Sequence, residues 1–462
     1  MTFNLWYYVI GFCLFNFILG AKNDLDAEDF RARDFRACVI GAGFAGLATS
    51  RHLKDYGVNF TTFEASRYVG GTWRFDPHVG TDEDGLPLFT SQYKNLRTNT
   101  PRQTMEFAGF PFPEGTPTFP SGTCYYKYLK SFAKHHDLLQ YIQFRSYVTG
   151  IKWVDDHWNL QYLKTDTREN VTEVCDFIVI ASGEYSDPVM PHFEGMESFK
   201  GKVIHSHDYK EPEPYKGRSV LVVGAGASGL DLATHLSNIT SKLVHSHHLN
   251  YNQPFFSKDY IKKPDIKAFT TEGVIFQDDS FEQIDDVILC TGYNYAHKFL
   301  DLSSGMTATT KYVLPLYQHM VNINHPSMVF VGVARGIINR VLDAQGEYAA
   351  ALASGKFKLP SQEEMLKSWL DHVHSLPRLG LKIIHVNIII DTDQYFENLT
   401  VEAGVRRAPP VLTIIRNNNA KNRLDDLLEY REYEYEIIDS YNYTTKYNPR
   451  QGFRCPIEDI PS

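Results

Sequence analysis

The stretch Cys38-Val-Ile-Gly-Ala-Gly-Phe-Ala-Gly-Leu-Ala-Thr-Ser-Arg-His-Leu53 returns later in the chain as Leu221-Val-Val-Gly-Ala-Gly-Ala-Ser-Gly-Leu-Asp-Leu-Ala-Thr-His-Leu236. Each copy is an apolar strand, the pattern G-x-G-x-x-G and the start of an amphipathic helix. In that setting the first glycine makes a tight turn and the second lets a pyrophosphate approach the backbone. The third packs helix against strand, and the helix N-terminus faces the phosphates. A single copy is equally typical of an ordinary turn, but two correctly flanked copies predict two dinucleotide sites. Their residues are Gly41, Ala42, Gly43, Phe44, Ala45 and Gly46 in the first copy, and Gly224, Ala225, Gly226, Ala227, Ser228 and Gly229 in the second.

The residues that follow the two motifs at equal distance differ in charge. Glu64 lies eighteen residues after Gly46, and a carboxylate at about this distance accepts hydrogen bonds from a ribose 2′-hydroxyl. Eighteen residues after Gly229 stands His247, and no acid there would repel a 2′-phosphate. The first site is therefore interpreted as an FAD site and the second as an NADP site, although histidines here are also typical of a solvated strand end. The side chains that could donate to such a phosphate are those of Lys242, Ser246, His247 and His248.

Length and composition limit the class of protein. The 462 residues exceed one ordinary hydrophobic core, which predicts two or three domains. A content of 43% hydrophobic and 22% charged residues is typical of a globular protein in water. The formal net charge of −9, without a basic run, argues against nucleic acid as a partner. The composition leaves the oligomeric state open, a homo-oligomer included.

The N-terminus predicts export from the cell. An apolar stretch of roughly fifteen residues precedes Gly20-Ala21, and the first charged residue is Lys22. This pattern indicates a secretory signal peptide over residues 1–21 and a secreted, extracellular protein. An uncleaved anchor is the alternative, but the stretch is short for a membrane span, which needs about 20 residues, so no stable membrane anchor is expected. Sequons predicted to carry glycans are at Asn170, Asn238, Asn398 and Asn442.

The cysteines do not indicate a disulfide framework. Five follow the leader, and their spacings are not those of paired cysteines. Cys38 and Cys290 lie in apolar strands and are interpreted as simply buried. One disulfide bond is allowed by this pattern, and no metal site is predicted.

Two apolar strands that run into glycine, at 176–183 and 286–293, bracket the second motif. They predict an α/β fold of two Rossmann-type dinucleotide-binding domains, with the NADP domain inserted into the FAD domain. The C-terminal stretch 430–447 is interpreted as a surface or packing arm, and residues 417–422 are expected to be exposed. The predicted boundaries are 22–208 for the first part of the FAD domain, 209–292 for the NADP domain, and 293–462 for the second part with a C-terminal extension.

Taken together, these motifs resemble those of the flavin-containing monooxygenase family over nearly all of residues 35–410. The family signature F-x-G-x-x-x-H-x-x-x-Y/F stands at Phe199–Tyr209, Gly-Gly-x-Trp at Gly70–Trp73, and the Thr-Gly pair at Thr291-Gly292. The leader and the segment Leu96-Arg-Thr-Asn-Thr-Pro101 are most similar to the insect branch of the family and, within that branch, to its secreted N-oxygenases of pyrrolizidine alkaloids.

The resemblance implies roles for residues outside the glycine motifs. Asn99 would be the catalytic residue, beside the reactive face of the flavin and the NADP amide. An uncharged amide there can hydrogen-bond activated oxygen without donating the proton that releases peroxide. Thr98 would flank NADP and Thr100 would flank FAD, while His205 would orient the domain linker. Further FAD contacts are implied for Gly71, Thr72, Trp73 and Gln345, the last being equally typical of a helix surface.

This sequence departs from the family pattern at two places. The arginine usually found after the second Rossmann strand is replaced by His247 or His248, which weakens the expectation of a preference for NADPH. Glu184 stands where many relatives carry a histidine, and the sequence assigns it no role.

The activity that the resemblance implies is NADPH- and O2-dependent oxygenation of a small-molecule amine to its N-oxide, with FAD and NADPH carrying the difficult chemistry. A broader N- and S-oxygenase is the nearest alternative. A disulfide reductase would need a closely spaced cysteine pair, which the sequence lacks. A ketone-oxygenating relative has a longer signature, and a non-catalytic flavoprotein or alkaloid carrier would not need both glycine motifs intact.

Overall fold

A computed structural model of the chain describes residues 35–295, 297–335, 338–449 and 453–459. The predicted signal peptide lies outside these residues. Seven helices are described: α1 (Phe44–Asp55), α2 (Gly122–His135), α3 (Ala227–Leu236), α4 (Asn339–Ala353), α5 (Gln362–Ser375), α6 (Thr392–Ala403) and α7 (Val411–Asp425). Among them, none combines the length and apolar character that crossing a membrane requires.

The described strands are, in chain order, β1 (Ala37–Ile40), β2 (Phe60–Phe63), β3 (Ile142–Gln143), β4 (Ser146–Val154), β5 (His157–Lys164), β6 (Asn170–Cys175), β7 (Phe177–Ile180), β8 (Lys202–His205), β9 (Ser219–Val223), β10 (Lys242–Ser246), β11 (Tyr260–Lys263), β12 (Ile266–Phe269), β13 (Gly273–Phe276), β14 (Phe281–Gln283), β15 (Asp286–Leu289), β16 (Thr307–Ala308), β17 (Val313–Leu314), β18 (Leu316–Tyr317), β19 (Val321–Asn322), β20 (Met328–Phe330), β21 (Tyr433–Ile437) and β22 (Tyr443–Tyr447).

Two sheets carry the architecture. The first has the strand order β18-β19-β20-β7-β1-β2-β3, parallel from β20 to β3. The second has the order β11-β10-β9-β15-β8 and is parallel throughout. All residues of β1 and β7 are buried, as expected of parallel strands covered on both faces. Each sheet receives one glycine motif at the carboxyl end of a central strand, β1 or β9.

The second sheet is built from chain that lies between β7 and β20 of the first sheet. This confirms the predicted α/β fold of two Rossmann-type domains, one inserted into the other. One detail differs from the predicted boundaries, because β8 pairs with β15 in the second sheet although residues 202–205 precede residue 209. The chain enters the second domain just before β8, within the family signature. The glycine motif comes later, after β9, so its position does not mark this boundary.

The cysteines differ from the sequence interpretation. Cys38 in β1 is bonded to Cys175 at the end of β6, and Cys124 in α2 is bonded to Cys455. The expectation that Cys38 is simply buried is therefore wrong, whereas Cys290 is a buried free thiol. The partners are 137 and 331 residues apart, and such long-range pairs have no spacing signature.

Residues 417–422 also differ from the expectation of an exposed polar stretch. They belong to α7, whose Asn419 is buried. The Tyr-rich stretch after it forms a short turn and the β21–β22 hairpin, and Tyr430 and Tyr435 are buried in the core. It is therefore an arm on the surface that packs into the core through these two tyrosines, while most of the hairpin is exposed.

Candidate functional site

The three glycines of the first motif meet different neighbours. A Cβ added at Gly46 would overlap the carbonyl oxygen of Gly41, and one added at Gly41 would lie 2.6 Å from that of Ala181. At Gly43 the nearest atom to an added Cβ is the Cα of Gly71, at 3.7 Å. The protein backbone itself therefore requires Gly41 and Gly46. Gly43 instead leaves space beside the turn, as a bound pyrophosphate needs. Phe44, Ala45 and Gly46 form the first turn of α1.

Glu64 closes the same loop just after the end of β2. Its Oε2 accepts a hydrogen bond of 2.7 Å from the Ala42 backbone N–H, and its Oε1 accepts one of 2.9 Å from Ser66. Burial raises the pKa of Glu64, against the opposing effect of the hydrogen bonds from Ser66 and Ala42. Because each carboxylate oxygen has a second lone pair, Glu64 can still accept a ribose hydroxyl.

The Gly-Gly-x-Trp segment packs on the first glycine motif. Gly70 donates its backbone N–H to the Ala42 carbonyl at 2.9 Å, and Gly71–Trp73 form one 3-10 turn. The Thr72 carbonyl accepts the Thr90 hydroxyl at 2.8 Å. The Trp73 ring lies 4.4 Å from that of Tyr125. The structure thus places Gly71 beside Gly43 of the first motif, with Thr72 and Trp73 in the same turn, and their contact with FAD stays a prediction.

The second motif repeats the first with more open space. A Cβ at Gly229 would overlap the Gly224 carbonyl oxygen, and one at Gly224 would lie 2.7 Å from that of Cys290, whereas one at Gly226 would meet no atom within 4 Å. Ala227, Ser228 and Gly229 begin α3. A cavity of about 390 Å³ adjoins the motif, and it is lined by Val223, Gly224, Ala225, Gly226, Ser246, His247, His248, Leu249, Asp265 and Thr291.

His247 offers this cavity a neutral hydrogen-bond donor. Its Nδ1 accepts the Leu249 backbone N–H at 3.1 Å, so the neutral ring carries its proton on Nε2. That Nε2 is buried and has no hydrogen-bond partner among the described residues. Burial, with smaller contributions from Lys262 and His248, lowers the pKa of His247 to about 4. An unsatisfied buried donor of this kind fits a phosphate oxygen.

The other predicted donors to the 2′-phosphate are placed less favourably. Ser246 donates its hydroxyl proton to the Pro264 carbonyl at 2.7 Å, and exposed His248 lies 3.3 Å from Asp265. Lys242 lies at the start of β10, at the opposite end from His247, and pairs with Glu282 at 3.0 Å. The prediction for Lys242 is wrong because an extended strand carries its two ends away from each other.

The sequence pattern missed two charged residues near the second site. Lys262 in β11 pairs in register with His245 of β10 and donates to the Leu249 carbonyl at 3.2 Å. Asp265 follows β11 and lines the cavity, so an acid is present where the sequence had indicated none. Lys262 lies in the neighbouring parallel strand β11, and Asp265 follows that strand. The pairing of β11 with β10 is the signal that could have found them.

The segment that carries Asn99 lies between the two Rossmann units. Asn99 is half-buried, and its carbonyl accepts a hydrogen bond of 2.9 Å from Asn419 of α7. Thr98 is buried, and its hydroxyl has no hydrogen-bond partner among the described residues. Thr100 is half-buried. Upstream in the same segment, the Tyr93 hydroxyl donates to Asp231 of α3. The segment therefore contacts the second domain directly.

Gln345 does not present its amide to an open site. It is fully buried in α4, where its Oε1 accepts the Gly332 backbone N–H at 3.1 Å and its Nε2 donates to the Tyr395 hydroxyl at 2.9 Å. Each end of the amide makes one of these bonds and keeps a further donor or acceptor position, so the flavin contact expected of Gln345 stays a prediction. Gly332, which donates to Gln345, lies near the first motif, because a Cβ added to it would be 4.0 Å from the Cβ of Ala45.

His205 of the family signature has the contacts of an orienting residue. Its Nδ1 accepts the His207 backbone N–H at 3.1 Å, and its ring packs against Tyr293 at 5.1 Å. Burial, with His207 as a smaller cause, lowers the pKa of His205 to about 4. The ring is therefore neutral near pH 7. It connects the end of β8 with Tyr293, which are the two places where the chain passes between the domains.

Comparisons with known proteins identify the fold and the family. The sequence model of the flavin-binding monooxygenase-like family matches residues 34–250 and 257–420. The chain is 53% identical to senecionine N-oxygenase of Tyria jacobaeae, over 92% of this chain and 94% of that protein. It is 30% identical to flavin-containing monooxygenase 3 of Oryctolagus cuniculus, over 82% and 84% of the two chains. The solved structure of S-allyl-L-cysteine S-oxygenase from Allium sativum superposes with a TM-score of 0.80 at 26% identity, covering 86% of this chain and 94% of that one.

Both glycine motifs, Glu64 and the cavity beside His247 leave space and hydrogen-bonding groups that fit two dinucleotides. The protein is an FAD- and NADPH-dependent monooxygenase. The chain belongs to the flavin-binding monooxygenase-like family.

Proposed function

We propose that the protein converts tertiary amine alkaloids, in particular pyrrolizidine alkaloids such as senecionine, to their N-oxides and thereby detoxifies them. The observation that carries this proposal is the 53% identity to senecionine N-oxygenase along almost the whole of both chains. A broader N- and S-oxygenase is the second candidate, favoured by the likeness to the S-oxygenase from Allium sativum. A non-catalytic carrier is disfavoured, because the ligand space at Gly43 and Gly226 is preserved.

A substrate panel distinguishes these candidates. The purified FAD-loaded protein is offered a pyrrolizidine alkaloid, a simple tertiary amine, a thioether and a ketone, while NADPH oxidation and product mass are recorded. The N-oxygenase proposal expects kcat/KM for the alkaloid to exceed that for the thioether by roughly tenfold or more. Equal values would favour the broader oxygenase. NADPH oxidation that no substrate accelerates, without any oxygenated product, would favour the carrier.

At the first site we propose that the FAD pyrophosphate lies against Gly43 and that Glu64 accepts a ribose hydroxyl. When bound, the flavin supplies the activation of oxygen. The protein binds and orients the flavin, and Asn99 provides an uncharged hydrogen-bonding group. The residues assigned to this site are Gly41, Ala42, Gly43, Phe44, Ala45, Gly46, Glu64, Gly71, Thr72, Trp73, Asn99, Thr100 and Gln345.

At the second site we propose that the NADPH pyrophosphate lies against Gly226 and that the adenosine end occupies the cavity beside His247. The unpartnered Nε2–H of His247 supports it as a donor to the 2′-phosphate, and Lys262 of the adjoining strand is the lysine that acts electrostatically on the His247 ring. The negative charge of Asp265 would repel the 2′-phosphate, so the preference for NADPH over NADH is expected to be modest. The residues assigned are Thr98, Asn99, Gly224, Ala225, Gly226, Ala227, Ser228, Gly229, Ser246, His247 and His248.

We infer that the protein is secreted and glycosylated. Two disulfide bonds support this inference, because disulfides persist in oxidising compartments and are rare in the cytosol. The four predicted sequon asparagines, Asn170, Asn238, Asn398 and Asn442, are all exposed. Expression in insect cells tests the inference: we expect a mature N-terminus near Lys22 in the medium and a mass decrease on enzymatic deglycosylation. Retention in the cell with the leader intact would contradict it.

We further propose the predicted division at residues 209 and 293, except that the first boundary lies before β8, which begins at Lys202, and not at residue 209. The paired strands Lys202–His205 and Asp286–Leu289 support that change. A homo-oligomer remains part of the proposal, and the mass of the native protein in solution tests it.

A further inference from the structure

The C-terminal arm, defined as residues 429–448, covers the segment that carries Asn99. Arg97 pairs with Glu432 at 2.6 Å, and Gln103 donates to the Tyr435 carbonyl at 2.5 Å. Tyr435 also donates its backbone N–H to the Thr118 hydroxyl at 3.0 Å. These contacts come from both sides of Asn99, so the arm holds the whole segment and not one end of it.

Arg431 is the residue of the arm with the most far-reaching contacts. Its Nε donates to the Thr98 carbonyl at 2.9 Å, and its Nη2 donates to the Arg97 carbonyl at 3.4 Å. Its Nη1 lies 2.6 Å from Oδ1 of Asp231. The guanidinium is planar and has five donors in a fixed arrangement, so it can satisfy three acceptors at once. Arg431 thereby joins three pieces of chain that are far apart in sequence.

Asp231 places the other end of this connection on the second dinucleotide site. It is the fifth residue of α3, the helix that begins at Ala227 directly after Gly226. Its second carboxylate oxygen accepts the Tyr93 hydroxyl. Burial alone would raise the pKa of Asp231, but Arg431, His235 and the Tyr93 hydroxyl together lower it. The carboxylate is therefore ionised and paired inside the protein.

The burial of this ion pair makes its geometry rigid. The side chains of Arg431 and Asp231 are 14% and 9% exposed, and a buried charge that loses its partner is strongly unfavourable. Hydrogen bonds to charged groups are also stronger than neutral ones. Any shift of α3 relative to the Asn99 segment would break the ion pair, the Tyr93 hydrogen bond or the bonds to the Arg97 and Thr98 carbonyls.

We propose that Arg431 is a positioning residue that couples the Asn99 segment to the NADP-site helix α3 through Asp231. The C-terminal arm then sets the distance between the two dinucleotide sites. The proposal rests on the proposed NADP site, and it predicts that a change in the arm alters NADP⁺ binding although Arg431 lies outside the cavity beside His247.

The test uses the FAD-loaded protein and two readouts that do not depend on the side chain of Asn99. These are the Kd of NADP⁺ and the flavin absorbance change that NADP⁺ produces. Arg431→Gln and Asp231→Asn should each weaken NADP⁺ binding roughly tenfold, as loss of a charge-assisted hydrogen bond implies. Because both remove the same interaction, the double variant should be little worse than either single one. Lys446→Gln removes an exposed positive charge from the same arm and should leave both readouts unchanged.

Tyr93→Phe provides a milder variant in case the charge variants lose FAD or fail to fold. It removes one hydroxyl from Asp231 without leaving a buried charge unpaired, and it should weaken NADP⁺ binding by roughly threefold with a smaller absorbance change. Additive effects in the double variant, or NADP⁺ binding and absorbance changes equal to the parent's in Arg431→Gln or in Tyr93→Phe, would overturn the proposal. A failed NADP site is recognised separately, because Gly226→Ala would then leave NADP⁺ binding unchanged.

Discussion

Glu184 lies 3.7 Å from Arg335, measured from Oε2 to Nε, just beyond the carboxyl end of β7. Its side chain is 15% exposed, and no described residue donates a hydrogen bond to its carboxylate. The guanidinium of Arg335 rests on the ring of Tyr295 at 4.4 Å, and Tyr185 stands beside Glu184 in the chain. Burial raises the pKa of Glu184 to about 8, against the opposing effect of Arg335.

This pKa predicts that the stability of the cofactor-free protein falls as pH rises from about 4.5 to about 8. In that window the folded protein keeps a proton on Glu184 that the unfolded chain has lost, so raising the pH favours unfolding. The Glu184→Gln variant should lose this dependence, because its amide does not titrate. The unfolding temperature measured across this range checks it, with Glu197→Gln as an exposed control in the same linker. An equally steep fall in parent and Glu184→Gln would show that other groups cause it.

Substituting the second glycine of each motif should weaken the binding of one cofactor and leave the other bound. Gly43→Ala should lower the affinity for FAD by roughly tenfold or more, because a methyl group would occupy the pyrophosphate space. The protein itself tolerates a Cβ there, with its nearest atom at 3.7 Å, so folding should be preserved. Gly226→Ala should retain FAD and weaken NADP⁺ binding. Bound FAD and the Kd of NADP⁺ are measured in both variants, and a normal FAD content in Gly43→Ala would refute the first assignment.

Asn99→Asp should separate NADPH oxidation from product formation. A carboxyl group beside the flavin can exchange a proton with the reacting oxygen, so we expect flavin reduction to continue while hydrogen peroxide replaces the N-oxide. Product and peroxide per NADPH are the quantities to measure. Asn417→Asp, at an exposed position of α7, is the matched control. It should form as much product per NADPH oxidised as the parent does. Unchanged coupling in Asn99→Asp would remove Asn99 from the reaction site.

The choice between NADPH and NADH should depend on His247 as a neutral donor. His247→Glu should shift the ratio of the two kcat/KM values towards NADH by about 1–3 kcal/mol, the loss expected for a charge-assisted hydrogen bond. Since the pKa of His247 is about 4, its ring should add no pH dependence to the parent ratio between about pH 5.5 and 7.5. The second ionisation of the 2′-phosphate, near about pH 6, is common to the parent and to His247→Gln. A ratio that rises steeply as the pH falls through this range in the parent but not in His247→Gln would instead indicate a cationic histidine as the anchor.

The features that could be predicted from the sequence are those encoded within short segments. Gly46 is required by the carbonyl group of Gly41, a few residues away, and Gly41 by a carbonyl group just after the adjacent strand. Glu64 follows the glycine motif after one helix and one strand. These local constraints produce a recognisable spacing, so the fold and both dinucleotide motifs could be predicted before the structure.

The features that could not be predicted depend on pairs that are distant in sequence. Arg431 meets Asp231 across 200 residues, and Cys38 meets Cys175 across 137. Asp265 reaches the second site from just beyond the neighbouring strand β11, and the Gln345 amide bonds to Gly332 and Tyr395. Each follows from tertiary packing, which no local period or spacing records.

Isotope labelling of the product tests the N-oxygenase proposal most directly. The FAD-loaded protein is given NADPH, a pyrrolizidine alkaloid and oxygen gas enriched in the heavy isotope, and the product mass is compared with that from ordinary oxygen. We predict one labelled oxygen atom on the alkaloid nitrogen and close to one N-oxide per NADPH oxidised. An unlabelled product, or NADPH oxidised to peroxide with the alkaloid unchanged, would contradict the account.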